Sequence, residues 1–332
     1  MINKLLIVGC GLIGSSILKK VCKKRIAKKI FVFEKSKKNQ RILKRFKLKF
    51  QLIKKMDKKI SECDFIVICA PLSEYKKIFL ACNKYSKKNI LITDVGSAKR
   101  DTITKINRIK RKDINWISSH PIAGSEVSGP LNGNENLFVN KWSVIIKQKK
   151  SQTKEMKKIL KFWKLLGSKT VTMDADQHDK IFAITSHLPH LIAYNLILTA
   201  TNFKIPNKDN VLRFSAGGLR DFSRIAASNE IMWRDIFFNN KSNMLKVIDL
   251  FIKNLKIFKS DIKSNRKSLE TKLKNLKKGK TKDSFIKTRY IKTRFWQNLN
   301  LKFFYQVSNH ALIIFYCIRN FFTYWFVCLI KT

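Results

Sequence analysis

Residues 4–16 read KLLIVGCGLIGSS, and this stretch decides the fold. Leu5, Leu6, Ile7 and Val8 form an apolar run short enough for a fully buried strand. It stops at Gly9, Gly11 and Gly14, spaced G-x-G-x-x-G, after which Ile17 and Leu18 resume at helical spacing. Strand, glycine turn and helix, in that order, are what a dinucleotide pyrophosphate requires. Gly9 permits the tight turn, Gly11 lets the backbone approach the phosphates, and Gly14 lets the helix pack close to the strand. The helix N-terminus then presents free N–H groups to the anion. Leu12 and Ile13 lie in the same turn and join the three glycines as cofactor-binding candidates. About twenty residues past Gly14, residues 29–33 (KIFVF) read as a second buried strand ending in Glu34. A carboxylate there accepts hydrogen bonds from the adenosine ribose diol and repels a 2′-phosphate, which favours NAD over NADP, although Lys35, Lys37 and Lys38 pull the other way.

Outward from this stretch the strand series continues at 64–71 (DFIVICAP), 90–95, 116–119, 142–146 and 169–173. Helical patterns fall between several of these strands, at 74–84, 100–109 and 152–166. The alternation predicts an α/β fold, a Rossmann-type doubly wound parallel sheet over residues 1–173. After Asp174 the strand signals stop, and an all-helical domain for substrate binding and dimerisation is expected over 174–278. Pro189 interrupts a long apolar pattern at 176–200 and should kink that helix or start a new one. A later helix carries Met244, Ile248, Phe251, Leu255, Phe258, Ile262, Leu269 and Leu276 near a 4,3 spacing, which suits a homodimer core or packing within one subunit.

Residues 279–309 are polar and basic, and 310–330 are apolar but broken by Arg319 and Asn320. That last run has the length of a membrane span, yet a charge at its centre is costly there. A membrane anchor, a helix buried against a partner, and a non-native extension by read-through or frameshift all remain open for 279–332. The formal net charge is +48, which usually raises nucleic acid or an anionic membrane as partner. Here the lysines are spread over nearly every helix and loop among many Asn, Ile and Phe, a pattern that reads as a by-product of an AT-rich coding sequence. No specific nucleic-acid partner is expected, while anionic small molecules should be attracted. The seven cysteines make no C-x-x-C pair, which fits reduced cytoplasmic thiols, and a strand beginning within the first residues leaves no room for a signal peptide.

Four further stretches carry chemistry: DVGSAK (94–99), SHPIAGSE (119–126), SHLPH (186–190) and GGLRDFSRIAASNEIMWRDI (217–236). His120 and Ser97 each follow a predicted strand, at the carboxyl ends where ligands of such sheets bind. A histidine beside bound nicotinamide can accept the proton of a hydroxyl whose carbon gives up hydride, though a lone His before a Pro also suits a structural loop contact. His187 and His190 lie three apart on a helical pattern with no third ligand at metal-site spacing, so no metal is expected. Arg224 has the planar fork a substrate carboxylate requires; Asp221 could hold that fork or be a surface acid, and Arg220 is a second candidate clamp.

Following a dinucleotide fingerprint in this order, the four stretches resemble the prephenate dehydrogenase family, including its arogenate and dual-specificity members, over about residues 2–278. The resemblance implies an enzyme of tyrosine biosynthesis that oxidatively decarboxylates prephenate to 4-hydroxyphenylpyruvate with NAD. His120 would be the catalytic base and Ser97 its partner. It also places His190, Ser186, Glu126 and Arg224 at the substrate and puts Trp233 near the site, possible contact from a second subunit included. A 3-hydroxyacid-type dehydrogenase would instead show a helical G-x-x-x-K-x-x-x-N pattern, which is not found. A non-enzymatic basic protein would bind polyanions without turnover.

Overall fold

The computed structural model describes residues 2–147, 153–203, 211–265 and 267–282. The expected strand, glycine turn and helix at the N-terminus are β1 (Ile2–Val8) and α1 (Leu12–Lys23). The other parallel strands are β2 (Ala27–Phe33), β3 (Gln51–Ile53), β4 (Phe65–Ile68), β5 (Leu91–Asp94) and β6 (Asn115–Trp116), in the order β3-β2-β1-β4-β5-β6. Leu5 pairs with both Ile30 and Phe65, and Val8 with both Phe33 and Ile68, so β1 is central. Its odd and even residues serve opposite cores. Leu5 and Ile7 meet Ile17, Leu18 and Val21 of α1 together with Phe162 and Trp163 of a later helix, α5 (Thr153–Leu165). Leu6 and Val8 join the other core, with Ile78, Phe79 and Cys82 of α3 (Tyr75–Tyr85) and Ile106 of α4 (Arg100–Ile109). Burial on both faces is why β1 reads as an unbroken apolar run. The segment after Glu34 holds α2 (Lys37–Lys44), capped by the Ser36 hydroxyl accepting from Asn39 N, and the short edge strand β3, which the basic composition of 35–60 conceals.

The strand series does not continue in one sheet. Ile117 N makes the last bond to the parallel sheet, at Ile92 O, while Ser118 O accepts from Ile146 N in a second sheet. The chain therefore changes sheets between residues 117 and 118, and the stretch expected as one strand at 116–119 is split into β6 and β7 (Ser119–Pro121). β7 pairs antiparallel with β8 (Trp142–Ile146), which pairs in parallel with β9 (Lys169–Met173). The Ser119 hydroxyl spans the gap: it lies 2.8 Å from the Thr93 hydroxyl, donates to Asp94 O and accepts from Trp163 Nε1.

Beyond β9 the described elements are helical: α6 (Ala175–Phe182), a π turn (Ala183–His187), α7 (Leu188–Asn202), α8 (Gly217–Ala226), α9 (Glu230–Asn239), α10 (Lys241–Lys263) and α11 (Ser268–Lys282). Pro189 stands in the first turn of α7, directly after the π turn, within helical backbone that runs without a break from Ala175 to Asn202, so it does not start a separate helix. The chain forms two compact units, one through Lys253 and one from Asn254, within which Lys272 pairs with Asp261. Of the tail expected at 279–332, residues 279–282 continue α11 and 283–332 lie outside the described residues.

Candidate active site

The glycine turn is built for a phosphate. Gly9 has φ of +85°, and a Cβ there would lie 2.8 Å from Cys69 O; one on Gly14 would lie 2.1 Å from Gly9 O. A Cβ on Gly11 would meet nothing within 4 Å, so this residue borders open space in front of α1, whose N-terminus carries no side-chain cap and no acid in its first turn. Burial, and then Glu34, push the Cys10 thiol up, so no thiolate faces that space. Glu34, at the end of β2, is buried, and its two oxygens accept from Cys10 N and Ser36 N at 2.8 Å each. Each carboxylate oxygen keeps a further acceptor direction, as a ribose diol would need. These residues fit a dinucleotide. The glycines would cradle its pyrophosphate, with Leu12 and Ile13 opening the helix beside it.

His120 lies on β7, opposite Val144, and is 8% exposed. Its Nδ1 is 2.8 Å from Nε2 of His178, whose Nδ1 is 2.8 Å from Asp179 Oδ1. Asp179 accepts in turn from the backbone N–H groups of Lys99 and Arg100, both at 2.9 Å, where α4 begins. A helix start carries partial positive charge, so this is a favourable seat for a carboxylate. The pattern fixes the tautomers. His178 donates from Nδ1 to Asp179 and accepts at Nε2 from His120 Nδ1–H, which leaves His120 Nε2 as an acceptor with no hydrogen-bond partner among the described residues. Burial above all, then His178, Lys99 and His187, hold the His120 imidazolium well below the usual histidine range, so the ring is neutral at neutral pH.

Next to this relay lies a buried ion pair. Lys99 Nζ donates to Asp94 Oδ2 and to Ser119 O, both at 2.7 Å, and Asp94 also accepts from Tyr75 Oη, Gly96 N and Trp116 Nε1, each at 3.0 Å. Every lone pair used is matched by a donor, which is what a buried pair needs to persist. Asn240 reaches in from the turn before α10, donating to Asp179 O and approaching His187 Nδ1 at 3.1 Å.

The other sequence candidates fall in two groups. His190 stacks on Trp233 with ring centroids 3.7 Å apart, and its Nδ1 faces Ser186 O at 3.0 Å, so its Nε2 is the acceptor. Trp233 itself is 5% exposed, sharing contacts with Phe237 and His187. Arg224 on α8 pairs with Glu126 and stands 3.9 Å from Asp221, more than half exposed; Arg220 is exposed on the same helix. Ser97 is half-buried in the turn before α4. Its backbone lies close to His187 Nε2 without a full hydrogen bond, and Nδ1 of His120 is taken by His178. His178, Asp179, Lys99, Asp94 and Asn240 were missed from sequence. A signal existed: of five histidines, His120, His178, His187 and His190 lie within 120–190, and His178-Asp179 follows the helix cap Asp174.

A parallel sheet with a glycine turn at its carboxyl edge and a buried, oriented histidine beside it defines the class, a nucleotide-binding dehydrogenase fold. Comparison with known proteins agrees. The family models described as "Prephenate dehydrogenase, nucleotide-binding domain" and "Prephenate dehydrogenase, dimerization domain" match residues 17–172 and 174–277. This chain belongs to the prephenate dehydrogenase family. It is 30% identical over 258 residues to the cyclohexadienyl dehydrogenase of Zymomonas mobilis, covering 78% of this chain and 88% of that one. It is likewise 30% identical to the prephenate dehydrogenase of Bacillus subtilis over 260 residues, 77% of this chain and 69% of the relative. Among solved structures, Aquifex aeolicus prephenate dehydrogenase in complex with hydroxyphenyl propionate and NAD+ superposes with a TM-score of 0.77 at 29% identity, covering 85% of this chain and 98% of that one.

Proposed function

We propose that this chain carries out NAD-dependent oxidative decarboxylation of prephenate to 4-hydroxyphenylpyruvate, as a cytoplasmic homodimer joined through its helical residues. The observation that carries this reading is the His120–His178–Asp179 relay, which leaves one neutral imidazole nitrogen free as a base. Bound nicotinamide supplies the hydride acceptor. His120 Nε2 accepts the proton of the ring hydroxyl as the hydride leaves the same carbon, while the ring carboxylate departs as CO2 and the ring becomes aromatic. His178 holds the imidazole in the accepting tautomer and shares the positive charge that develops. Arg224, released from Glu126, and His190, held flat by Trp233, grip the substrate carboxylates; Ser97 and Ser186 line the approach and Asp221 steadies the Arg224 fork. Glu34 selects NAD through the ribose diol. Apolar side chains left exposed on α7, α9 and α10, among them Leu198, Phe238 and Leu250, supply the subunit interface.

Arogenate, or both substrates, is the second reading, favoured by the match to a cyclohexadienyl dehydrogenase. The test is a rate assay of the purified full chain with prephenate or arogenate, each with NAD or NADP. Prephenate with NAD is expected to be fastest. Turnover with neither substrate would refute the proposal.

A further inference from the structure

We propose that a basic groove at the end of the parallel sheet remote from the glycine turn binds single-stranded nucleic acid without regard to sequence. The groove, of about 1130 Å3, lies between the end of α1, the start of β2 and the loop at 45–49. Glu34 stands four to seven residues beyond the groove-lining Ile30, Lys28 and Ala27 on β2, about 13–23 Å at a strand rise of ~3.3 Å per residue, so groove and cofactor turn are separate. Two of its cations are already engaged: Lys23 pairs with Glu135, and Lys19 donates to Gly133 O and sits 5.0 Å above the Phe46 ring. Arg25, Lys28, Arg45, Lys47 and Lys49 also line it and form none of the ion pairs among the described residues. Arg25 sits in the left-handed turn after α1 with φ of 49°, a conformation that disfavours a side chain.

Five cations around one concavity, without an ion pair among the described residues, suit a line of anions, and a phosphodiester strand supplies it. Three features choose among polyanions. The groove is concave, which excludes a flat bilayer. Its lining includes the half-buried Leu48 beside these cations, an apolar contact a base can use and inorganic polyphosphate cannot. Phosphate contacts carry no sequence information, so binding is tolerant of sequence.

The test measures anisotropy of a labelled twelve-residue oligouridine with the full chain across a salt series, with and without NAD. The groove variant combines Arg45→Gln, Lys47→Gln and Lys49→Gln, and a second removes charge on the opposite wall through Arg25→Gln with Lys28→Gln. The control combines Lys157→Gln, Lys158→Gln and Lys161→Gln on α5. Each phosphate contact on a single strand contributes ~0.7 to the salt slope, so losing three lowers the slope by about 2 and affinity at 0.15 M salt by about fifty-fold. The second groove variant should lose about fifteenfold, and the control under about threefold. Turnover should be unchanged in all three, which also shows that they fold. Equal losses in groove and control variants would overturn the proposal, as would displacement of the oligonucleotide by NAD. So would equal affinity for inorganic polyphosphate of matched length, or binding of phosphatidylserine vesicles in place of the oligonucleotide.

Discussion

Replacing His178 by leucine isolates the relay from the base itself. The change removes the acceptor 2.8 Å from His120 Nδ1, while Asp179 keeps its bonds from Lys99 N and Arg100 N, so α4 stays capped. During turnover His120 gains a proton, and the hydrogen bond it donates to His178 then becomes charge-assisted. A bond of that kind contributes about 1.5–3 kcal/mol, which at ~1.36 kcal/mol per decade predicts a fall in kcat of about ten- to 150-fold. Removing the base altogether, with His120→Asn, should cost about 10²- to 10⁴-fold. The double variant should be no slower than His120→Asn alone, because the relay acts only through His120. The pH profile gives an independent sign. A base works only when neutral, so kcat/KM is lost as pH falls through the His120 pKa, which burial and its neighbours hold below the usual histidine value. A neutral His178 accepts from the imidazolium, so removing it takes away a stabilising bond and should move the acid limb further to lower pH. The assay is steady-state turnover against pH in the parent and the three variants, with melting temperatures recorded beside it. Full turnover and an unmoved acid limb in His178→Leu, or a multiplicative loss in the double variant, would refute the relay.

Other expectations follow from the same contacts. Arg224→Ala should raise the Michaelis constant for the dianionic substrate by about tenfold or more, with NAD binding unchanged. Tenfold is about 1.4 kcal/mol, below the ~2–5 kcal/mol for a desolvated charge pair, because the side chain is more than half exposed; a constant unchanged by this variant would move the clamp to Arg220. Glu34→Ser should narrow the preference for NAD over NADP and also weaken NAD binding, since Cys10 N and Ser36 N both lose their acceptor; equal rates with the two cofactors in the parent would contradict the assignment. Folding stability should decline as pH falls below ~6.5, because the unfolded chain then takes up protons that His120, His178, His187 and His190 refuse in the folded state. His187, lowered to about 4, accounts alone for about 3 kcal/mol of that loss by pH 4, and a denaturation midpoint flat from pH 7 to 4 would be the contrary result. A chain ending at residue 290 should keep its turnover, as the matched family models end at residue 277; loss of activity on that truncation would make the tail part of the working enzyme.

What the sequence determined by itself is whatever depends on neighbours along the chain. The run from Leu5 to Val8 and the glycines after it specify strand, turn and helix because the period of burial and the φ demanded of Gly9 are local properties. Glu34 was legible for the same reason, standing a fixed distance beyond that turn. Quoted motifs placed His120, His190 and Arg224 in a family pattern, but no periodicity says what each side chain meets. Only the tertiary structure decided that the chain leaves the parallel sheet between residues 117 and 118, since a strand's pattern records that it is buried and not which strand it joins. Folding likewise brought His178 to Nδ1 of His120: the two histidines are 58 residues apart and meet because α6 packs where α4 begins. The buried pair of Lys99 and Asp94 is the plainest case. As letters they are a surface-type cation and acid, and only the donors that close around them from Tyr75, Gly96 and Trp116 make their burial affordable.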